Sequence, residues 1–144
     1  MTPAPTDSRN RPFAPALDRL RAVGLRPTRQ RLALARLLFE GQDRHVSAEA
    51  LHDEAQAAGI RVSLATIYNT LHQFTAAGLM REIVVDSQRS YFDTNVTDHH
   101  HFFHESANRL QDIPAEEVCV ARLPGTPAGT RVRRVDVIVR LEDK

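Results

Sequence analysis

A chain of 144 residues has room for one ordinary domain or two small ones, which excludes a large multidomain enzyme. With 42% hydrophobic, 26% charged and 6% aromatic residues it has the composition of a folded protein, not of a disordered one. No run approaches the roughly 20 apolar residues that span a bilayer, and the opening MTPAPTDSRNRPF has no apolar signal-type stretch. A cytoplasmic protein without a membrane partner is expected. Cys119 is the single cysteine, so an internal disulfide and a Cys₄ or CxxC zinc site are excluded. Any metal must rest on histidines and carboxylates.

Net charge is only +1, but it is unevenly spread. Arg9, Arg11, Arg19, Arg21, Arg26, Arg29, Arg31 and Arg36 face only Asp7 and Asp18 in the first 39 residues. A basic first third points toward nucleic acid.

Residues 1–12, with Pro3, Pro5 and Pro12 among polar neighbours, read as a flexible arm. Leu17, Leu20 and Val23 then mark a short helix stopped by Gly24. Thr28 is placed to cap a second helix, carrying Leu32, Leu34, Leu37 and Leu38. Ser47 caps a third, and Ser63 a fourth whose apolar face is Leu64, Ile67, Leu71 and Phe74, ending near Gly78. Residues 79–85, a polar stretch at 86–89 and residues 90–93 read as strand, turn, strand. Helix, turn, helix and hairpin, behind the first two helices, make a winged helix-turn-helix over 13–93.

A hinge is expected at 94–98, before a second unit over 99–144. It should contain a strand around 109–113, a helix opened by Pro114 with Glu116 and Glu117 in its first turn, and a Pro/Gly loop at 123–129. A closing strand is expected in which Val135, Val137, Val139 and Leu141 face inward and Ile138 outward. About fifty residues make a poor independent core, so this unit should bury its apolar face against a second copy. The fold class is α/β (α+β): a winged helix-turn-helix plus a small α/β dimerisation domain.

In a helix-turn-helix the second helix presents its N-terminal residues to the major groove. With Leu64, Ile67 and Leu71 needed inside, Ala65, Thr66, Tyr68 and Asn69 remain to meet bases. Asn pairs with adenine and the methyl groups of Ala and Thr suit thymine, so an A·T-rich operator is expected. Arg26, Arg29 and Arg31 would neutralise phosphates. With the capping residues included, the DNA-contacting set is Arg26, Thr28, Arg31, Ser63, Ala65, Thr66, Tyr68 and Asn69.

His99, His100, His101 and His104 crowd into six positions. On a strand, His99 and His101 point to one face and His100 to the other, forming a two-tooth chelate for zinc, iron, copper or nickel. Asp93 and His45 are candidate further ligands. His52 and His72, on helices, take ordinary surface or core roles. A His-metal hydrolase with Glu105 as base lacks an HExxH helix, and a metal store leaves the basic winged helix unexplained.

The stretches 24–31 (GLRPTRQR), 45–49 (HVSAE), 63–68 (SLATIY) and Tyr91-Phe92-Asp93 followed by His99-x-His101 resemble the ferric uptake regulator family, in order from about 17 to 141. The resemblance implies a dimeric, metal-responsive transcription regulator with an N-terminal winged helix. It also implies a hinge site of His45, Asp93, His99 and His101, Asp93 standing where Glu is common. That ion would set the angle between domains and hence the spacing of the two reading heads.

Two motifs depart from the family pattern. The structural CxxC reads His104-Glu105-Ser106-Ala107, so no Cys-ligated zinc is expected. The second metal site reads Asp98-x-His100, with only Cys119, Glu116 or Glu117 to complete it and Arg133-Arg134-Val135 where its final His is common. These departures, with the triple His and Tyr68-Asn69-Thr70, look like the iron response regulator branch, which senses haem and loses DNA binding when haem arrives. His99, His100 and His101 are then the expected haem ligands, alongside or instead of Fe, Zn or Mn. The expected function is a homodimeric regulator of iron and haem homeostasis on a double-stranded operator. The competing expectation is a regulator that binds DNA only when metallated, with no haem sensing.

Overall fold

A computed structural model describes residues 13–144; the arm expected over 1–12 lies outside the described residues. The elements run α1 (Ala14–Ala22), α2 (Arg29–Phe39), β1 (His45–Val46), α3 (Ala48–Ala57), α4 (Leu64–Ala76), β2 (Arg81–Val84), β3 (Ser90–Asp93), β4 (His99–His104), β5 (Arg109–Pro114) and β6 (Ile138–Leu141). They fall into two units, divided between Val96 and Thr97.

In the first unit, short-range chemistry starts and stops the helices. Thr28 Oγ1 accepts from Arg31 N at 3.2 Å, Ser47 Oγ from Ala50 N at 3.1 Å and Ser63 Oγ from Thr66 N at 3.1 Å. Each hydroxyl satisfies an amide that the first helical turn leaves without a partner. At the other ends, Gly59 and Gly78 adopt φ of +74° and +84°, where a side chain would be strained. The next amide then reaches back, Ile60 N to Ala55 O at 2.8 Å and Leu79 N to Phe74 O at 2.9 Å. Ile60 and Leu79 thereby pack onto the core.

That core is Leu20, Leu34, Leu38, Leu51, Ile67, Leu71 and Phe74, all fully buried, closed by Met80 and Phe92 from the wing. Each such side chain contributes about 1.5–3 kcal/mol by leaving water. Leu64, expected inside, is 36% exposed. It occupies the first position of α4, short of the apolar cluster that Ile67 is the first to reach.

β1, β3 and β2 form one antiparallel sheet in that order. β1 has two residues, too few for an alternating pattern to show in sequence. It exists because Thr94 N donates to Arg44 O at 3.0 Å and Arg44 N donates to Thr94 Oγ1 at 2.9 Å. Thr94 and Asn95, placed in the hinge from sequence, are thus tied to the first unit.

In the second unit β4 lies between β5, antiparallel, and β6, parallel. Phe103, Leu110 and Ile113 are its buried apolar residues. The helix expected from Pro114 is absent: Pro114 (φ −53°, ψ 141°) ends β5, and Ala115–Glu117 is a single 3-10 turn. The β-branched Val118 and Val120 that follow favour extended backbone. The closing strand is shorter than 135–141; Val135, Val137 and Leu141 are half-buried, in line with their expected facing, but Ile138 is half-buried too and Val139 is exposed. Ile138 pairs with His101, whose side chain is on the buried face, and paired residues share a face.

Candidate functional site

One donor pair sits at the wing's root. His45 and Asp93 are register partners on β1 and β3, and Arg81 on β2 pairs with Asp93 from the other side. His45 Nε2 lies 3.3 Å from Asp93 Oδ2, and the Asp93 carboxylate is 1% exposed. Asp93 Oδ1 accepts from Asn95 N at 2.9 Å, which holds the carboxylate. Arg44, directly before His45, forks onto Glu54 at 2.9 and 2.7 Å and so anchors this strand to α3. A buried carboxylate needs such partners, because desolvation of an unpaired charge costs several kcal/mol.

The second donor group belongs to the β4–β5 hairpin. His99 and His101 alternate onto one buried face, their rings meeting edge-on at 4.6 Å. Both Nε2 atoms approach Asp112 Oδ1, at 3.3 and 3.4 Å. Asp112 was missed by sequence reasoning, and only the hairpin register His101↔Asp112 brings it onto this face. His99 Nδ1 lies 2.6 Å from Thr97 O. A carbonyl only accepts, so Nδ1 carries the proton, and in neutral His99 Nε2 is a bare lone pair. That lone pair faces a carboxylate oxygen, an arrangement of two acceptors that a proton or a cation resolves. Two imidazoles and a carboxylate suit zinc, iron or manganese, and the Thr97 carbonyl is the kind of outer partner that orients a ligating His. The donor chemistry therefore fits a divalent ion.

His100 points to the opposite face of β4, where its Nδ1 accepts from Val137 N at 3.1 Å. Nε2 of neutral His100 then holds the proton. His104 Nε2 lies 2.9 Å from Gln111 Oε1. Cys119 is exposed, and among the described residues Asp98, His100, Glu116, Glu117 and Cys119 form no second ligand group. His52 Nε2 meets Val62 O at 3.1 Å, and His72 stands 3.6 Å from Glu82, ordinary structural roles for both.

The expected DNA-contacting residues gather in the first unit. A cleft of about 440 Å³ is lined by Arg26, Thr28, Gln30, Arg31, Thr66, Asn69, Thr70 and Gln73. Ala65 and Asn69 are exposed and Thr66 half-buried, its Oγ1 accepting from Ser63 Oγ at 3.0 Å. Tyr68 is 37% exposed and donates its hydroxyl to Glu49 Oε1 at 2.6 Å. This bond holds the Glu49 carboxyl below its ordinary range and pushes the Tyr68 phenol above its own. Sequence reasoning missed Glu49 and Gln73, whose partners lie 19 and 42 residues away.

The model of the ferric uptake regulator family matches residues 22–123. The chain belongs to this family. Members of the ferric uptake regulator family are transcription regulators, not enzymes. The peroxide-responsive repressor PerR of Staphylococcus epidermidis is 32% identical over 94 residues, 65% of this chain. The matched stretch spans 62% of that protein's length. A structure of the ferric uptake regulator from Pseudomonas aeruginosa with manganese is similar at TM-score 0.67 and 26% identity, covering 90% of this chain and 98% of that one. The Vibrio cholerae ferric uptake regulator shares the fold at TM-score 0.69 and 20% identity, covering 88% and 98%. No helix among the described residues is long and apolar enough to cross a membrane.

Proposed function

We propose that this family member is a homodimeric, DNA-binding transcription regulator controlled by a metal ion at its histidine cluster. The observation that carries the reading is the convergence of buried His99 and His101 on Asp112, with the His99 proton turned toward Thr97. In this reading residues 13–95 bind an A·T-rich inverted repeat and 99–144 pair the two copies, with the hinge expected at 94–98 narrowed to 96–98. Arg26, Thr28 and Arg31 grip phosphates, while Ser63, Ala65, Thr66, Tyr68 and Asn69 stand at the base edges.

The proposed ligands are His45, Asp93, His99 and His101, joined by Asp112. A bound ion would supply coordination bonds to these side chains, and only interactions that differ between two conformations can shift their balance. Arg44 and Asn95 hold the first pair; Thr97 and the β4–β5 register hold the second.

Haem control, as in the iron response regulator branch, is the second reading. What favours it is the same His99 Nε2 lone pair, the form of imidazole that ligates haem iron. His99 or His101 would then hold the haem iron, since His100 Nε2 carries a proton while Nδ1 accepts from Val137 N.

The test is fluorescence anisotropy of a labelled A·T-rich inverted repeat, with the protein titrated in parallel with Mn²⁺ and with haem. Binding that appears with Mn²⁺ and is lost on replacing His99 and His101 by Ala supports the metal reading. Release by haem, with a Soret shift that the same replacements abolish, supports the second. A duplex bound identically under all conditions overturns both forms of control.

A further inference from the structure

The cleft between the start of α2 and the outer face of α4 contains one arginine whose orientation is fully specified. Arg31 Nε and Nη2 both donate to Gln73 Oε1, at 3.2 and 2.9 Å, and Nη1 donates to Arg26 O at 2.9 Å. A guanidinium has five N–H groups in a rigid plane. Three are taken, so one on Nη1 and one on Nη2 have no hydrogen-bond partner among the described residues.

We propose that Gln73 is a positioning residue for DNA binding: it sets the Arg31 guanidinium so that the two remaining N–H groups take one backbone phosphate beside the recognition helix. The inference rests on the DNA-binding reading above. Gln73 is exposed and is not part of the buried apolar cluster, so its bond to Arg31 lies on the surface that the recognition helix presents. The choice of an amide is also meaningful. A carboxylate at position 73 would hold the guanidinium more tightly but cancel its charge, whereas the neutral Gln73 oxygen orients Arg31 and leaves the charge available for an anion. Because Gln73 rides on α4 and Arg31 on α2, the phosphate grip and the base-reading helix are held in one register, 42 residues apart in sequence. Thr28 Oγ1, capping α2 through Arg31 N, fixes the backbone from which the arginine projects.

The experiment is a double-substitution cycle on the full chain with a labelled A·T-rich duplex, read as affinity across a salt series with Mn²⁺ present and absent. Each phosphate contact contributes about −0.9 to the slope of log K against log salt. Arg31→Gln should weaken binding and make the slope shallower by about that amount. Gln73→Leu should weaken binding about 3–10-fold when Arg31 is present, yet change it less than about 2-fold in the Arg31→Gln background. Gln73→Glu should reproduce the shallower slope with Arg31 still in place. Thermal melting should be the same for all of these variants. Equal losses from Gln73→Leu in both backgrounds would mean that Gln73 touches DNA itself and would overturn the proposal, as would no loss in either. If the unmodified chain shows no salt-dependent binding at all, the DNA-binding reading fails, a result visible before any variant is compared.

Discussion

Asp112 is the cross-strand partner of His101, and its Oδ1 lies 3.4 Å from His101 Nε2 while also standing 3.3 Å from His99 Nε2. One carboxylate oxygen thus serves two imidazoles from the face where β4 buries them. Asp112→Asn keeps the shape and removes the charge. It should weaken Mn²⁺ or Zn²⁺ binding by about 10–100-fold or more, measured by competition with a chelating dye. Unchanged affinity would remove Asp112 from the ligand set.

The Tyr68–Glu49 hydrogen bond should make stability depend on pH in two directions. Glu49 titrates lower in the folded chain because Tyr68 donates to it, so its contribution is present above its unfolded value and is lost as pH falls through the folded one. Tyr68 titrates higher, so its contribution is present below its unfolded value and is lost as alkaline pH passes the folded one. Tyr68→Phe should therefore cost most near neutrality, less than about 1 kcal/mol for so exposed a pair, with the cost fading toward acid and toward alkali. Melting temperatures of the two proteins across a pH series check this; parallel curves would show that the bond does not form.

Phe74 is fully buried, with its ring 5.9 Å from Phe39. Phe74→Ala should destabilise the first unit by about 3–5 kcal/mol, seen as a lower urea midpoint. A loss below about 1 kcal/mol would mean that the core collapses around the gap.

The turn from α3 to α4 separates two local effects. A Cβ on Gly59 would meet no heavy atom within 4 Å, so Gly59→Ala is strained only by its φ of +74°. It should cost about 1–2 kcal/mol. Ser63→Ala removes the α4 cap and should cost about 1 kcal/mol. Additive losses in the double variant, by chemical unfolding, are expected if the two act independently.

Replacing Tyr68 and Asn69 together by Ala should erase preference for the inverted repeat over a scrambled duplex and leave weak, salt-sensitive binding. Retained preference would move sequence reading away from α4.

The elements legible in the sequence are those made by neighbours. Thr28, Ser47 and Ser63 each bond an amide three residues on, and the spacing of Ile67, Leu71 and Phe74 reports one helical face. The pair His99 and His101 was legible for the same reason, since alternation along a strand is local. Where local signals competed, they misled. Pro114 and two glutamates suit a helix start, but the extended Val118 leaves only a 3-10 turn.

Residue types, capping and periodicity by themselves determined the winged helix, the family resemblance and the placing of His99 and His101 on one strand face, because each depends on contacts within about one turn or one strand. Tertiary structure alone decided which distant groups complete them: β1 through Arg44 and Thr94, Asp93 between His45 and Arg81, Asp112 under the imidazoles, Gln73 under Arg31. These depend on hairpin register and on helix packing. A one-residue slip in register turns a side chain to the other face, and no short stretch of sequence records which register the folded core selects.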